Sequence, residues 1–133
     1  MNQTWKNRKN AVQTIDFSTL TFGKLHPTDL DAVYEYHGQG VLYMEAKCRD
    51  VQVGLGQRLL LERLVQRGVA CHKLDRALIV DHYVYDADDD IDLGSCVIRS
   101  VYDGHDWTNI KSQEITVREY LIAWMQDCDR RAG

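Results

Sequence analysis

The chain has 133 residues, 44% hydrophobic and 27% charged, with one proline and nine glycines. That composition excludes collagen-like, low-complexity and largely disordered chains and fits one domain with one core over residues 1–133. Sixteen basic against twenty acidic residues give a formal charge of −4, so the net field does not draw in nucleic acid and any polyanion site has to be local.

No apolar run approaches the ~18 residues that span a bilayer, and the opening MNQTWKNRKNAVQ lacks an apolar stretch of signal-peptide length. A soluble cytoplasmic chain with no membrane partner is expected. Cys48, Cys71, Cys96 and Cys128 form no CxxC pair, which points to reduced thiols rather than a zinc ribbon or a disulfide scaffold.

Lys6, Arg8 and Lys9 open the chain, and residues 1–11 are expected to fray. Residues 30–37 (LDAVYEYH) and 41–48 (VLYMEAKC) read as two strands joined by a tight turn at Gly38-Gln39-Gly40. Residues 55–66 carry Leu55, Leu59, Leu60, Leu61, Leu64 and Val65 as a broad helical stripe, with Gly68 where a left-handed cap would sit. Residues 76–84 and 94–102 read as a hairpin of buried strands around an acidic loop. Thr116 and Glu119 form a T-x-x-E capping box ahead of Val117, Tyr120, Leu121, Trp124, Met125 and Cys128 at helical spacing, and residues 129–133 are expected to fray. The fold class expected is α/β or α+β, a central mixed sheet flanked by helices. A dinucleotide fold fits poorly, because Gly54-Leu55-Gly56 lacks the third fingerprint glycine.

Period-two alternation puts Val41, Tyr43, Glu45 and Lys47 on one face of the second strand. With a three-residue loop at 38–40, Glu35 faces Tyr43, Val33 faces Glu45 and Asp31 faces Lys47, so Asp31, Glu45 and Lys47 converge. A loop one residue shorter or longer turns Asp31 to the wrong face. Two carboxylates within one ion's reach beside an ammonium suit hydrolysis assisted by a divalent metal. The same spacing also describes a solvated sheet face with cross-strand ion pairs, and spacing alone leaves both readings open.

Pro27-Thr28-Asp29-Leu30-Asp31, then Glu45-Ala46-Lys47 after a hairpin turn, then GQRLLLERL at 56–64, taken in that order, resemble the PD-(D/E)xK nuclease superfamily. The likeness is greatest to its small phage-encoded members and runs from about Ile15 to Trp124. The resemblance implies a restriction-endonuclease-like core and a phage nuclease that hydrolyses DNA in the bacterial cytoplasm with Mg²⁺ or Mn²⁺. It implies Asp31, Glu45 and the Ala46 carbonyl as metal ligands, Lys47 as the group that positions the attacking water, and Gln57 as a glutamine near the scissile phosphate. Asp29 lies one repeat farther from Glu45 and is the lesser ligand of its pair. Ala32 stands where related sequences often have glycine. Asp16 and Asp29 are the only acids before Asp31, so whether one or two ions bind stays open.

Arg49, Arg58, Arg63 and Arg67 are candidate phosphate contacts, with a solvated helix back as the alternative. Asp86-Ala-Asp-Asp-Asp-Ile-Asp92 matches the first positions of a calcium loop and then fails, with Ile91 at the required glycine and Val97 at the bidentate glutamate; a solvated hairpin tip fits better. Cys71, His72 and His82, and His26 with His37, lack zinc-ligand spacing. Trp5, Trp107 and Trp124 could stack on bases, but Trp124 lies on an apolar helical face and core packing is the simpler reading of Trp107 as well. A chain this small has little surface for sequence readout, so a homodimer is plausible. The rival function is a catalytically silent module on the same fold that binds a host or phage protein, such as a defence-system component.

Overall fold

The computed structural model describes residues 15–133; Trp5, Lys6, Arg8 and Lys9 lie outside the described residues. One five-stranded sheet runs in the order β1 (Ala32–Tyr36), β2 (Gly40–Cys48), β3 (Arg76–His82), β4 (Val97–Tyr102), β5 (Trp107–Asn109). Only β2 and β3 are parallel, as a β-helix-β connection through α1 (Leu55–Ala70) requires; the other neighbours are antiparallel. The mixed sheet with two helices is the α+β class expected. The three-residue strand β5 was not anticipated, being too short to show a period.

Each helix covers one face of the sheet. Leu61 and Val65 of α1 bury against Ala77, Ile79 and Tyr102, with Tyr43 and Trp107 packed beside them. Val117, Trp124 and Cys128 of α2 (Val117–Ala132) bury against Leu42, Met44, Leu78, Val80 and Ile98. Strands β2 and β3 therefore have both faces covered, and full burial of Leu42, Leu61 and Leu78 contributes roughly 1.5–3 kcal/mol each. The Thr116–Glu119 capping box forms with both reciprocal bonds. Trp124 is core, its indole N–H donating to the Leu74 carbonyl at 2.7 Å.

Several expected boundaries move. The first turn is His37-Gly38-Gln39, not 38–40: Tyr36 pairs with Gly40 and Ala32 with Met44. His37 and Gly38 take the left-handed φ values of 50° and 71°. Gly40 belongs to β2, where a Cβ would sit 2.9 Å from the Trp124 ring and 3.0 Å from the Leu74 carbonyl oxygen. The register thus slides by two residues, which preserves every face but aligns Asp31, one residue before β1, with Glu45 rather than Lys47.

Helix α1 continues through Gly68 to Ala70, and His72 takes the left-handed conformation instead. Gly68 is needed for closeness: a Cβ there would lie 1.9 Å from the Asp75 carboxylate. Strand β3 stops at His82 and β4 begins at Val97, because Leu93–Ser95 form a 3₁₀ turn in which Ser95 donates to Asp92. Residues 129–132 are helical rather than frayed, and Tyr36 donates its hydroxyl to Asp129 at 2.9 Å.

Candidate functional site

Glu45 is a carboxylate in the middle of β2, 4% exposed, on the face that α1 covers. Its Oε1 accepts from the Gln57 amide at 3.0 Å and lies 3.6 Å from the Lys47 ammonium. Its Oε2 is buried without a hydrogen-bond partner. A buried carboxylate oxygen with no donor costs on the order of 1–3 kcal/mol, so its persistence needs a reason. Burial first, then the charge of Asp31, push the Glu45 carboxyl above the usual carboxylate range, against the pull of Lys47, Gln57 and the Asp31 main chain.

Asp31 approaches from the other strand. Its Oδ2 accepts the Ala46 N–H at 2.7 Å, a group that β1 leaves unpaired because the ladder ends at Ala32 and Met44. Within a strand the N–H and C=O of one residue leave on the same edge, so the Ala46 carbonyl points toward Asp31 too. The residues expected to act together, Asp31, Glu45, Ala46, Lys47 and Gln57, are thus brought together, although through the shifted register. Among the described residues no three His, Cys, Asp or Glu side chains gather as a metal group, so the donor set here is two carboxylates and a carbonyl.

The arginines divide. Arg49 follows β2, exposed, 3.5 Å from Asp50 and with its guanidinium over the Tyr83 ring. Arg58, in the first turn of α1, pairs with Glu62 at 3.3 Å and lies over Trp107. Arg63 is two residues from both Leu61 and Val65, the inward residues, and therefore faces solvent away from the sheet; Arg67, two residues beyond Val65, is exposed as well. These two are not brought to the carboxylates. Asp29 is exposed and precedes the strand, and the acidic segment 86–92 is an exposed loop.

Asp81 is a buried acid that the alternation of β3 does not single out. It is 1% exposed at the end of β3, the ladder neighbour of Lys47. Arg99 donates to its Oδ1 from Nε at 2.8 Å and from a terminal nitrogen at 2.5 Å, while another terminal nitrogen donates to the Val51 carbonyl at 2.7 Å. Lys111 stands 3.7 Å from Asp81 Oδ2 and 3.8 Å from Asp50. A register shift between Ile79 and Val80 lets Arg99 turn to this side. The available signal was an acid ending the apolar run Ala77-Leu78-Ile79-Val80; its partners, 18 and 30 residues on, had none. The network ties the loop ahead of α1 to the sheet beside Glu45 and Lys47.

Comparison with family models, with characterised proteins and with solved structures finds no match to this chain.

Proposed function

We propose that the protein is a divalent-metal-dependent phosphodiesterase acting on nucleic acid, DNA foremost. The observation that carries this reading is the orphaned Glu45 Oε2, buried beside a second carboxylate. A cation would satisfy both at once. Two carboxylates and a carbonyl suit Mg²⁺ or Mn²⁺, hard ions that take oxygen ligands and keep several waters. Asp31, Glu45 and the Ala46 carbonyl would hold the ion, which when bound polarises a phosphoryl oxygen and acidifies water.

The remaining work falls to the chain. Gln57 occupies Glu45 Oε1 and leaves Oε2 free. The Ala46 N–H fixes one Asp31 oxygen, Oδ2, so Oδ1 is the one that would reach an ion shared with Glu45. Lys47, tethered by Glu45, donates to the attacking water and aims its lone pair at phosphorus, opposite the leaving oxygen. The resemblance of PTDLD, EAK and GQRLLLERL to PD-(D/E)xK nucleases supports the same roles, and with them phage DNA metabolism in a bacterial cytoplasm.

The test is cleavage of a nucleic-acid panel in Mn²⁺ by the wild type, Asp31→Asn, Glu45→Gln and Lys47→Ala, alongside thermal shift in Mg²⁺ and Mn²⁺. Each substitution is expected to lower the rate by about 10²–10³-fold, the usual cost of one preorganised electrostatic group. Metal should raise the wild-type melting temperature and leave that of Glu45→Gln unchanged. Undiminished cleavage by Lys47→Ala sinks the assignment. A second reading, a silent module for a host or phage protein or a second copy, is favoured by the exposed Ile15, Leu20, Phe22 and Leu25 ahead of the sheet. It gains if neither cleavage nor a metal shift is seen.

A further inference from the structure

Beside the carboxylates, on the α1 side of the sheet, is a cavity of about 170 Å³. It is contiguous with the site by three links. Ile79, which lines it, is the ladder neighbour of Glu45. Arg58, which also lines it, follows Gln57, the residue that holds Glu45. Arg99 reaches it from Asp81, the ladder neighbour of Lys47. Adjacent strands are about 4.8 Å apart, so the cavity is within one nucleotide's reach of the proposed reacting phosphate.

Its chemistry selects against a second phosphate. Both guanidinium charges are already balanced, Arg58 by Glu62 and Arg99 by Asp81. What remains is a neutral cavity with apolar surface from Val53, Ile79 and Trp107 and hydrogen-bonding groups from Gln52, Ser100 and Arg58. Pockets that enclose drug-sized ligands run to roughly 300–1,000 Å³; this one suits a single flat ring system. It is also rigid. One Glu62 oxygen accepts from both the Trp107 indole at 3.0 Å and Arg58 at 3.3 Å, and Trp107 packs on Tyr102 with centroids 5.1 Å apart.

We propose that this cavity takes one unpaired nucleobase adjacent to the scissile phosphate, with guanine preferred, so that the substrate is a single strand or a splayed end. This rests on the nuclease reading and deepens it. A base inside a duplex is stacked and paired and cannot enter without unpairing at a cost of a few kcal/mol. An aromatic edge and apolar wall accept any base, while the guanidinium nitrogens of Arg58 match the O6 and N7 acceptors of guanine.

The experiment follows the Trp107 indole N–H by NMR, assigned with Trp107→Phe, while metal-free wild type is titrated with guanosine monophosphate, cytidine monophosphate and ribose phosphate. Base-bearing ligands should move the Trp107 signal, the guanosine ligand at least about 10-fold more tightly, and ribose phosphate should not. Gln52→Ala, an exposed position that leaves folding intact, should weaken the guanosine response. In Mn²⁺, single-stranded DNA should be cut at least about 10-fold faster than the same sequence as a duplex. A Trp107 signal unmoved by bases, or moved equally by ribose phosphate, overturns the pocket even if metal-dependent cleavage is found. A base-specific shift without cleavage of any substrate upholds the pocket and overturns the nuclease reading.

Discussion

Asp75 shows how one buried acid couples the fold to pH. It is 5% exposed, and its Oδ1 accepts the Val41 N–H at 3.0 Å. Burial pushes its carboxyl above the ordinary aspartate value of 3.8, against the pull of the Val41 amide, Arg76 and Lys73. Between 3.8 and the raised value the native state keeps a proton that the unfolded chain has lost, so this stabilisation is full below 3.8 and disappears as pH rises through the folded value. Asp75→Asn keeps an acceptor for Val41 and removes the titration. Chemical denaturation across pH should show the wild type losing stability relative to the variant as pH rises above 3.8, and a difference between the two that stays constant with pH would assign the titration to another acid. At this scale Glu45 and Lys47 were legible because period-two alternation needs no partner to be seen. Asp81 and Arg99 were not, because a buried ion pair is defined by two distant positions and by a register shift that neither announces.

Elements were legible where local rules govern them. The capping box of α2 formed as read because its two bonds span only three residues. The glycines misled, because a glycine can serve a turn or a tight contact and the letter is the same. Gly40 and Gly68 both serve contacts, with Trp124 and Asp75. Gly68→Ala would gain about 1 kcal/mol in helix propensity. Its Cβ would meet Asp75 at 1.9 Å, and such overpacking costs roughly 1–3 kcal/mol or more. A net loss of up to about 2 kcal/mol is expected in urea unfolding. In an Asp75→Ala background the Cγ and Oδ contacts vanish and the same change should cost less, giving a coupling in a double-mutant cycle. Simple additivity would mean that the contact does not set the choice of glycine.

Across the whole molecule, burial is uneven. The parallel pair β2 and β3 is covered on both faces, whereas β1 is an edge with Val33 and Tyr34 exposed, and residues 15–30 carry exposed Ile15, Leu20, Phe22 and Leu25. Local opening follows such differences. Native-state hydrogen exchange should be slowest at Leu42, Met44, Leu78 and Val80 and fastest at residues 15–30. Protection of 15–30 equal to that of β3 would mean that this segment is covered in solution. The carboxylates sit at the boundary between the two regimes, Glu45 inside the protected pair and Asp31 on the approach to the edge strand, so that a rigid acid faces one held mainly by the Ala46 N–H.

The sequence by itself determined the order of the main elements, the shared face of Glu45 and Lys47, and the α+β class, since all of these follow from periodicities of two and 3.6 residues. Tertiary structure alone decided that Asp31 lies across from Glu45 rather than Lys47, that Gln57 ties α1 to that acid, that Asp81 is neutralised from β4, and that a neutral cavity opens beside them. Each of those depends on register and on layers closing over the sheet. These are set by the packing of side chains far apart in the chain, which no local pattern encodes.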